Sequence, residues 1–175
     1  MKRALRVRRR AILDRCRRLL EQCTPLDTDC GALCEGACCK GEGAMWLFPG
    51  EDEAYPETLE ALGLTVTDGE GNENIPYLRC TMETCRRELR PLSCRIFPYF
   101  PMAVRDTKTG RLHVKAVMDP RAMRVCPLLK QDAPPITPRF QHTVERVGRL
   151  MLQEPSLREY LLKTSAYLLE MASLL

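Results

Sequence analysis

Residues 30–39 read CGALCEGACC, so this stretch carries four of the ten cysteines of the 175-residue chain. The spacing is C-x3-C-x3-C-C, and glycines lie within it and just behind it. Glycine tolerates positive φ and close approach, so a backbone of this composition can fold tightly around a bound group. Zinc and iron–sulfur clusters take cysteine sulfur in tetrahedral sets of four. We therefore interpret residues 27–43 as a loop with at most a short helix, whose candidate metal ligands are Cys30, Cys34, Cys38 and Cys39.

Four further cysteines lie downstream, at Cys80, Cys85, Cys94 and Cys126. Eight candidate thiolates suit two four-ligand sites, or one site plus structural cysteines. The adjacent pair in the loop leaves a choice open, since neighbouring side chains in extended backbone point apart. Cys38 and Cys39 would then serve different metals, or one would pack while the other ligates. Because the later cysteines must fold back onto the loop, a metal would also clasp the fold.

The cellular compartment decides whether the cysteines form disulfides or remain reduced and able to bind a metal. No secretion signal precedes the cysteines, so we expect a cytoplasmic protein with reduced thiols. Cys16 and Cys23 are seven residues apart on the apolar face of a predicted helix, and we expect them to be buried there. The two histidines, His113 and His142, stand beside no cysteine group and are predicted to be ordinary residues.

Outward from the loop, the pattern predicts an α+β fold with helices at both ends. The middle contains a short helix over 55–62, a strand over 64–67, a short helix over 82–89 and a β-hairpin, 102–105 with 112–117. One helix is predicted to open at Thr137 with Pro138 in its first turn, and another at Ser156 with a capping box to Glu159. We predict a single domain over 1–175, made of a basic amphipathic helix (1–26), a cysteine-rich metal-binding core (27–130) and a C-terminal helical pair (136–175).

The positive charge is concentrated at the start of the chain. Residues 1–23 hold nine Lys or Arg against Asp14 and Glu21, while the whole chain has a formal net charge of +4. Apolar residues at three- and four-residue steps predict one buried helix face: Leu5, Ile12, Cys16, Leu19, Leu20 and Cys23. Residues 2–18 could bind a nucleic acid such as RNA, an acidic protein or an anionic membrane surface, or form a solvated polar face. The longest uncharged apolar run, 44–48, is far too short for a membrane span.

Three segments together carry a resemblance to a known family. They are the cysteine loop 30–39, WLFPGE at 46–51 and RPLSCRIFP at 90–98. With them, roughly residues 28–130 resemble the bacterial CxxCxxCC family of zinc- or iron-chelating proteins, although the loop here is spaced x3 and x3 instead of x2 and x2. A similar cysteine domain occurs in flagellin lysine N-methylase. The resemblance implies metal ligation by Cys30, Cys34, Cys38, Cys39 and Cys94, whereas Cys80, Cys85 and Cys126 are candidates only by the count of thiols.

These observations favour a metal-binding protein whose reaction, if it has one, stays open. No G-x-G-x-x-G follows a strand, which disfavours methyl transfer, and the scarcity of histidine disfavours a zinc hydrolase. The leading hypothesis is a cysteine-ligated metal protein that holds an iron–sulfur cluster or zinc, with [4Fe–4S] slightly favoured, in a structural, redox or metal-handling role. Alternatives are a metal-stapled module that binds RNA or an acidic partner through its basic helix, and an enzyme that modifies protein lysines. Among the nearby arginines we expect Arg95 to offset the thiolate charge.

Overall fold

The computed structural model describes residues 2–38, 45–55, 65–67, 77–79 and 87–173, and it has an α+β architecture. Two short 3₁₀ turns, Arg87–Leu89 and Pro127–Leu129, join the regular elements. The helices are α1 (Lys2–Glu21), α2 (Cys30–Cys34), α3 (Glu51–Ala54), α4 (Leu92–Ile96), α5 (Ala122–Val125), α6 (Pro138–Met151) and α7 (Pro155–Ser173). The strands are β1 (Met45–Trp46), β2 (Thr65–Thr67), β3 (Tyr77–Arg79), β4 (Tyr99–Arg105) and β5 (Leu112–Met118).

Helix α1 forms within the predicted range 1–26 but ends at Glu21, so that Cys23 lies just after it, and the helix packs antiparallel to α6. The Cys16 Sγ lies 3.9 Å from the Val147 carbonyl, and the Cys23 Sγ lies 3.4 Å from the Thr143 Oγ1. Both cysteines are buried, as predicted. Small side chains at these two positions let the helices approach closely. Leu5 was expected on the buried face but is exposed, because the first turns of α1 extend past the core.

Two arginines of α1 are turned inward instead of lying on the solvated surface. Arg9 Nε is 3.9 Å from the buried carboxylate of Glu154, and Arg17 Nη1 is 3.9 Å from that of Glu51. The Arg17 guanidinium also stacks over the Tyr55 ring at 4.2 Å from its centroid. Buried carboxylates need such cations nearby, so part of the basic charge of α1 serves to dock the helix.

The predicted hairpin is confirmed, with β4 and β5 antiparallel and Tyr99 paired with Met118 at its open end. The turn is closed by the Asp106 carboxylate, which accepts hydrogen bonds from the amides of Lys108 and Thr109. The hydrogen bonds from the Thr109 amide and hydroxyl, together with that from the Lys108 amide, hold the pKa of the Asp106 carboxyl below its usual value. Gly110 then adopts a φ of 66°, a conformation that a side chain would strain.

A second sheet has the strand order β1-β3-β2, with both pairings antiparallel. Strand β2 confirms the strand predicted over 64–67. Strands β1 and β3 were not predicted, since runs of two and three residues carry too little alternation to be recognised. The helix predicted over 55–62 and most of the one over 82–89 lie outside the described residues, and residues 87–89 form a 3₁₀ turn.

The C-terminal helices show one predicted cap and one corrected cap. Thr137 caps α6 and accepts a hydrogen bond from the Phe140 amide, as predicted. Helix α7 begins at Pro155, not at Ser156, because proline at the first helical position needs no amide partner. Its cap is the buried Glu154, whose Oε2 accepts hydrogen bonds from the Leu157 amide at 2.9 Å and the Ser156 hydroxyl at 2.6 Å. The predicted capping box between Ser156 and Glu159 is therefore wrong.

One apolar core joins α1, α4, β4, α6 and α7. The WLFPGE segment enters it through Phe48, whose ring meets that of Tyr160 edge-on at 5.2 Å. Helix α6 lies against the hairpin at Gly148. None of the described helices is both long enough and apolar enough to cross a membrane.

Gly148→Ala should destabilise the protein by about 1–2 kcal/mol. A Cβ at this position would lie 2.5 Å from Val114 Cγ1 and 2.7 Å from Pro101 Cβ, and a proline ring cannot rotate away. Overpacking of this kind costs about 1–3 kcal/mol, of which the better helix propensity of alanine returns up to about 1. Thermal unfolding measures the change, with the exposed His142→Ala on the same helix as control. An unchanged or raised Tm for Gly148→Ala would show that the helix and hairpin do not touch here.

Candidate metal centre

Five of the eight predicted ligands line one small cavity, of about 30 Å³. They come from three separate segments of the chain: the 30–38 loop, α4 and the end of α5. The five are Cys30, Cys34, Cys38, Cys94 and Cys126. Cys39, Cys80 and Cys85 lie outside the described residues.

The loop begins with a capped turn of helix. The Asp29 carboxylate accepts a hydrogen bond from the Gly31 amide at 3.2 Å and starts α2, which places Cys30 and Cys34 one turn apart on the same side. The helix ends at once, because Glu35 and Gly36 both adopt positive φ, at 51° and 70°. This reversal turns the chain so that Cys38 also reaches the cavity.

Two other elements complete the wall. Helix α4 contributes Cys94, and Cys126 ends α5, where its amide bonds back to the Ala122 carbonyl at 2.8 Å. The remaining wall is apolar and formed by rings and a leucine: Phe97, Pro98, Pro127 and Leu128. The peptide bond between Phe97 and Pro98 is cis. The cysteines are thus held in a mostly apolar, half-buried pocket.

The charge at the cavity is set by an arginine–aspartate pair. Arg90 lines the cavity with only 7% of its surface exposed, and its guanidinium binds the Asp29 carboxylate through two nitrogens, at 2.8 and 3.1 Å. Arg87 Nη1 stands 3.9 Å from the same carboxylate. Sequence reasoning overlooked Asp29, although an aspartate directly before a cysteine-rich turn is a recognisable helix cap.

Arg95, expected beside the thiolates, lies elsewhere. It is buried, and its Nε and Nη2 donate to the carbonyls of Arg90 and Glu88, both at 2.9 Å. Burial, followed by the charges of Arg17 and Arg87, lowers its pKa to about 10. Arg95 thus stabilises the backbone at Arg90 through hydrogen bonds. Arg90, and not the predicted Arg95, is the arginine that lines the cavity.

The thiols influence one another electrostatically. Burial raises the pKa of Cys30 to about 11; Arg90 opposes this rise, while Cys34 and Cys126 add to it. Burial also raises the pKa of Cys126, and Cys34 adds to that rise. Cys30, Cys34 and Cys126 form no disulfide. Cys34 thus raises the pKa of Cys30, in its own loop, and that of Cys126, which is distant in sequence.

The described side chains around the cavity do not form a ready-made metal site. Within the part of the chain that the structure describes, no three or more Cys, His, Asp or Glu side chains are arranged to hold a metal ion as they stand. His113 and His142 are exposed on β5 and α6 and do not line the cavity. The fold therefore brings five thiols to one cavity without joining them at one point.

No protein-family model matches the chain, and neither the curated proteins nor the solved structures include a significant match. The resemblance to the CxxCxxCC family therefore depends on the three motifs themselves. Of these, 90–98 supplies Arg90 and Cys94 at the cavity, and 46–51 supplies Glu51, which contacts α4.

Proposed function

We propose that this protein binds a metal centre, an iron–sulfur cluster or zinc, through the cysteines that line the cavity. The observation that carries the proposal is the meeting of five cysteines from three chain segments at one cavity. Isolated cysteines pack as small hydrophobic residues, as Cys16 and Cys23 do between α1 and α6. Five around one cavity exceed what packing requires, and sulfur is the ligand that zinc and iron–sulfur clusters take.

Binding would couple to a local rearrangement. The thiols do not converge on one point, and each would turn about χ1 between staggered wells to bring its sulfur to the metal. Ligation also requires thiolates, and the raised pKa of Cys30 means that metal binding must displace its proton. A folded scaffold whose thiols must turn before they can ligate suits a centre that is inserted after folding.

Arg90 supplies the balancing charge. Four thiolates around Zn²⁺ leave a net charge of −2, and clusters ligated by four cysteines are also anionic. A buried guanidinium at the cavity wall would offset that charge, and Asp29 holds it in place through two hydrogen bonds. The apolar rings around the thiols would limit the access of water to a cluster, so we place [4Fe–4S] ahead of zinc. The role would be structural, redox or metal handling.

Anaerobic purification tests the proposal. Visible absorption is recorded together with iron, zinc and acid-labile sulfide per chain. Brown protein with iron and sulfide in near-equal amounts would establish a cluster, and colourless protein with one or two zinc ions would establish a zinc site. Protein that carries neither metal, and that takes up neither on anaerobic reconstitution, would refute metal binding.

Asp29→Asn should weaken metal retention without removing a ligand. The amide side chain can still cap α2, but it cannot hold the Arg90 guanidinium with two charge-assisted bonds. Loss of such an outer partner costs about 10–100-fold in metal affinity. Competition with a chelator measures the affinity, and Asp27→Asn, at an exposed site two residues earlier, is the matched control. Equal retention by the two variants would contradict the role assigned to the Asp29–Arg90 pair.

A further inference from the structure

A basic groove lies between α1 and α6. Four arginines line this groove, two from each helix, and its volume is about 390 Å³. Leu19, Leu150 and Gln153 complete its lining. The arginines are Arg15 and Arg18 from α1 and Arg146 and Arg149 from α6.

The two walls continue beyond the groove itself. On α1, Arg8 precedes Arg15 by seven residues, and on α6 Arg139 precedes Arg146 by the same step. Residues seven apart share a helix face, and all these arginines are exposed. Because the helices are antiparallel, the two basic stripes run side by side in opposite directions.

The neighbouring polar groups leave the groove cationic. Arg8 Nη2 donates to the Gln153 carbonyl at 2.9 Å, which ties the end of one stripe to the groove. Among the residues that the structure describes, the carboxylate paired with a lining arginine is that of Glu145, whose Oε2 is 3.5 Å from Arg149 Nη1. An exposed pair of this kind contributes little and can exchange partners. Arg9 and Arg17, in contrast, face buried carboxylates and belong to the docking of α1.

We propose that this groove binds the phosphodiester backbone of a single-stranded nucleic acid. Guanidinium groups bind phosphate oxygens through paired hydrogen bonds, and two rows of them can meet one strand from both sides. Packed helix axes stand about 8–10 Å apart, a spacing that suits one strand better than a duplex. The lining residues include no aromatic side chain, so base stacking does not contribute. Binding is therefore salt-dependent and independent of base sequence, and it does not require the metal centre.

The test is fluorescence anisotropy of the full-length protein with a labelled single-stranded RNA of mixed sequence, across a range of salt. The variant is Arg146→Glu/Arg149→Glu, which leaves residues 1–26 untouched. The matched control is Arg111→Glu/Arg158→Glu. It makes the same charge change at two exposed positions, one directly before β5 and one on α7. A second variant, Arg15→Glu/Arg18→Glu, reverses the charge of the opposite wall, so that the test does not depend on the folding of a single variant. Circular dichroism verifies folding of each variant.

Each groove variant is expected to bind RNA about tenfold or more weakly, with the slope of log K against log salt reduced by about 1.4 for two lost phosphate contacts. The control should stay within about twofold of the wild type. The proposal is overturned if wild type does not bind RNA at low salt, or if the control loses as much affinity as the groove variants. It is also overturned if polyglutamate competes as well as RNA, or if a duplex of the same sequence binds more tightly through these arginines.

Discussion

Cys34→Ser is expected to remove the proposed metal centre while leaving the fold in place. Cys34 lines the cavity together with Cys30 of its own loop and Cys126, which directly follows α5, and it helps to raise the pKa of both thiols. Serine keeps the size of the side chain but offers a hydroxyl that zinc and iron bind far less well than thiolate. Loss of an outer partner of a metal ligand already costs about 10–100-fold in affinity, so loss of a ligand should cost ~100-fold or more. The variant should therefore be purified with little iron or zinc.

The matched control is Cys23→Ser. Cys23 is also a cysteine without a disulfide, more buried than Cys34, but it packs just after α1 beside Thr143 of α6 and does not line the cavity. It should keep the wild-type metal content, with at most a modest fall in Tm. The two variants separate a metal ligand from a structural cysteine. A Cys34→Ser protein with full metal content, or a Cys23→Ser protein that loses its metal, would contradict the assignment.

The second large effect is expected at Glu51, where Glu51→Ala should destabilise the protein by about 3–5 kcal/mol. Only 1% of this carboxylate residue is exposed. Its Oε1 accepts a hydrogen bond from the Leu92 amide at 2.5 Å, and its Oε2 accepts one from the Phe48 amide at 3.2 Å. Arg17 lies at 3.9 Å. Removal of the side chain leaves two buried amides without their acceptor and a partly buried guanidinium without its nearby countercharge.

Thermal unfolding measures this change, and Glu53→Ala is the control. Glu53 belongs to the same short helix, but its ion pair with Arg6 is exposed on both sides and should contribute less than about 1 kcal/mol. For a chain of this length each kcal/mol lowers Tm by about 2–4 °C. Glu51→Gln should fall between the two, since its single oxygen can satisfy one amide well. Equal Tm values for Glu51→Ala and Glu53→Ala would show that Glu51 does not join α3 to α4.

Glu51 also explains why two of the quoted motifs belong together. It ends WLFPGE and caps the first turn of α4, which carries Cys94 from RPLSCRIFP. Burial raises the pKa of Glu51 most strongly, and the two amide bonds and the nearby arginines oppose that rise. A carboxylate placed in this environment fixes the position of α4 and, with it, one wall of the thiol cavity.

Much of the local structure could be predicted from the sequence, because the determining contacts span only a few residues. The hairpin turn around Asp106 and the Thr137 cap each depend on a side chain that bonds to an amide two or three residues away. The spacing of Cys30 and Cys34 also places them together without help from the rest of the chain. Strands β1 and β3 could not be predicted, since two or three residues acquire their conformation from partners distant in sequence.

The arrangement of the site was decided by the tertiary structure. The count of thiols marked Cys126 as a candidate, but only the packing of α5 brings it to the cavity beside Cys34. Sequence could not distinguish Arg90 from Arg95, five residues apart, because their roles depend on how the turn before α4 and α4 itself direct the two guanidinium groups. The arginine groove likewise exists only because α6 lies antiparallel to α1. By itself the sequence determined which residue types are present and how they are spaced over short ranges. The meeting of distant segments was decided by the tertiary structure, because it depends on apolar burial and buried charge pairs summed over the whole core.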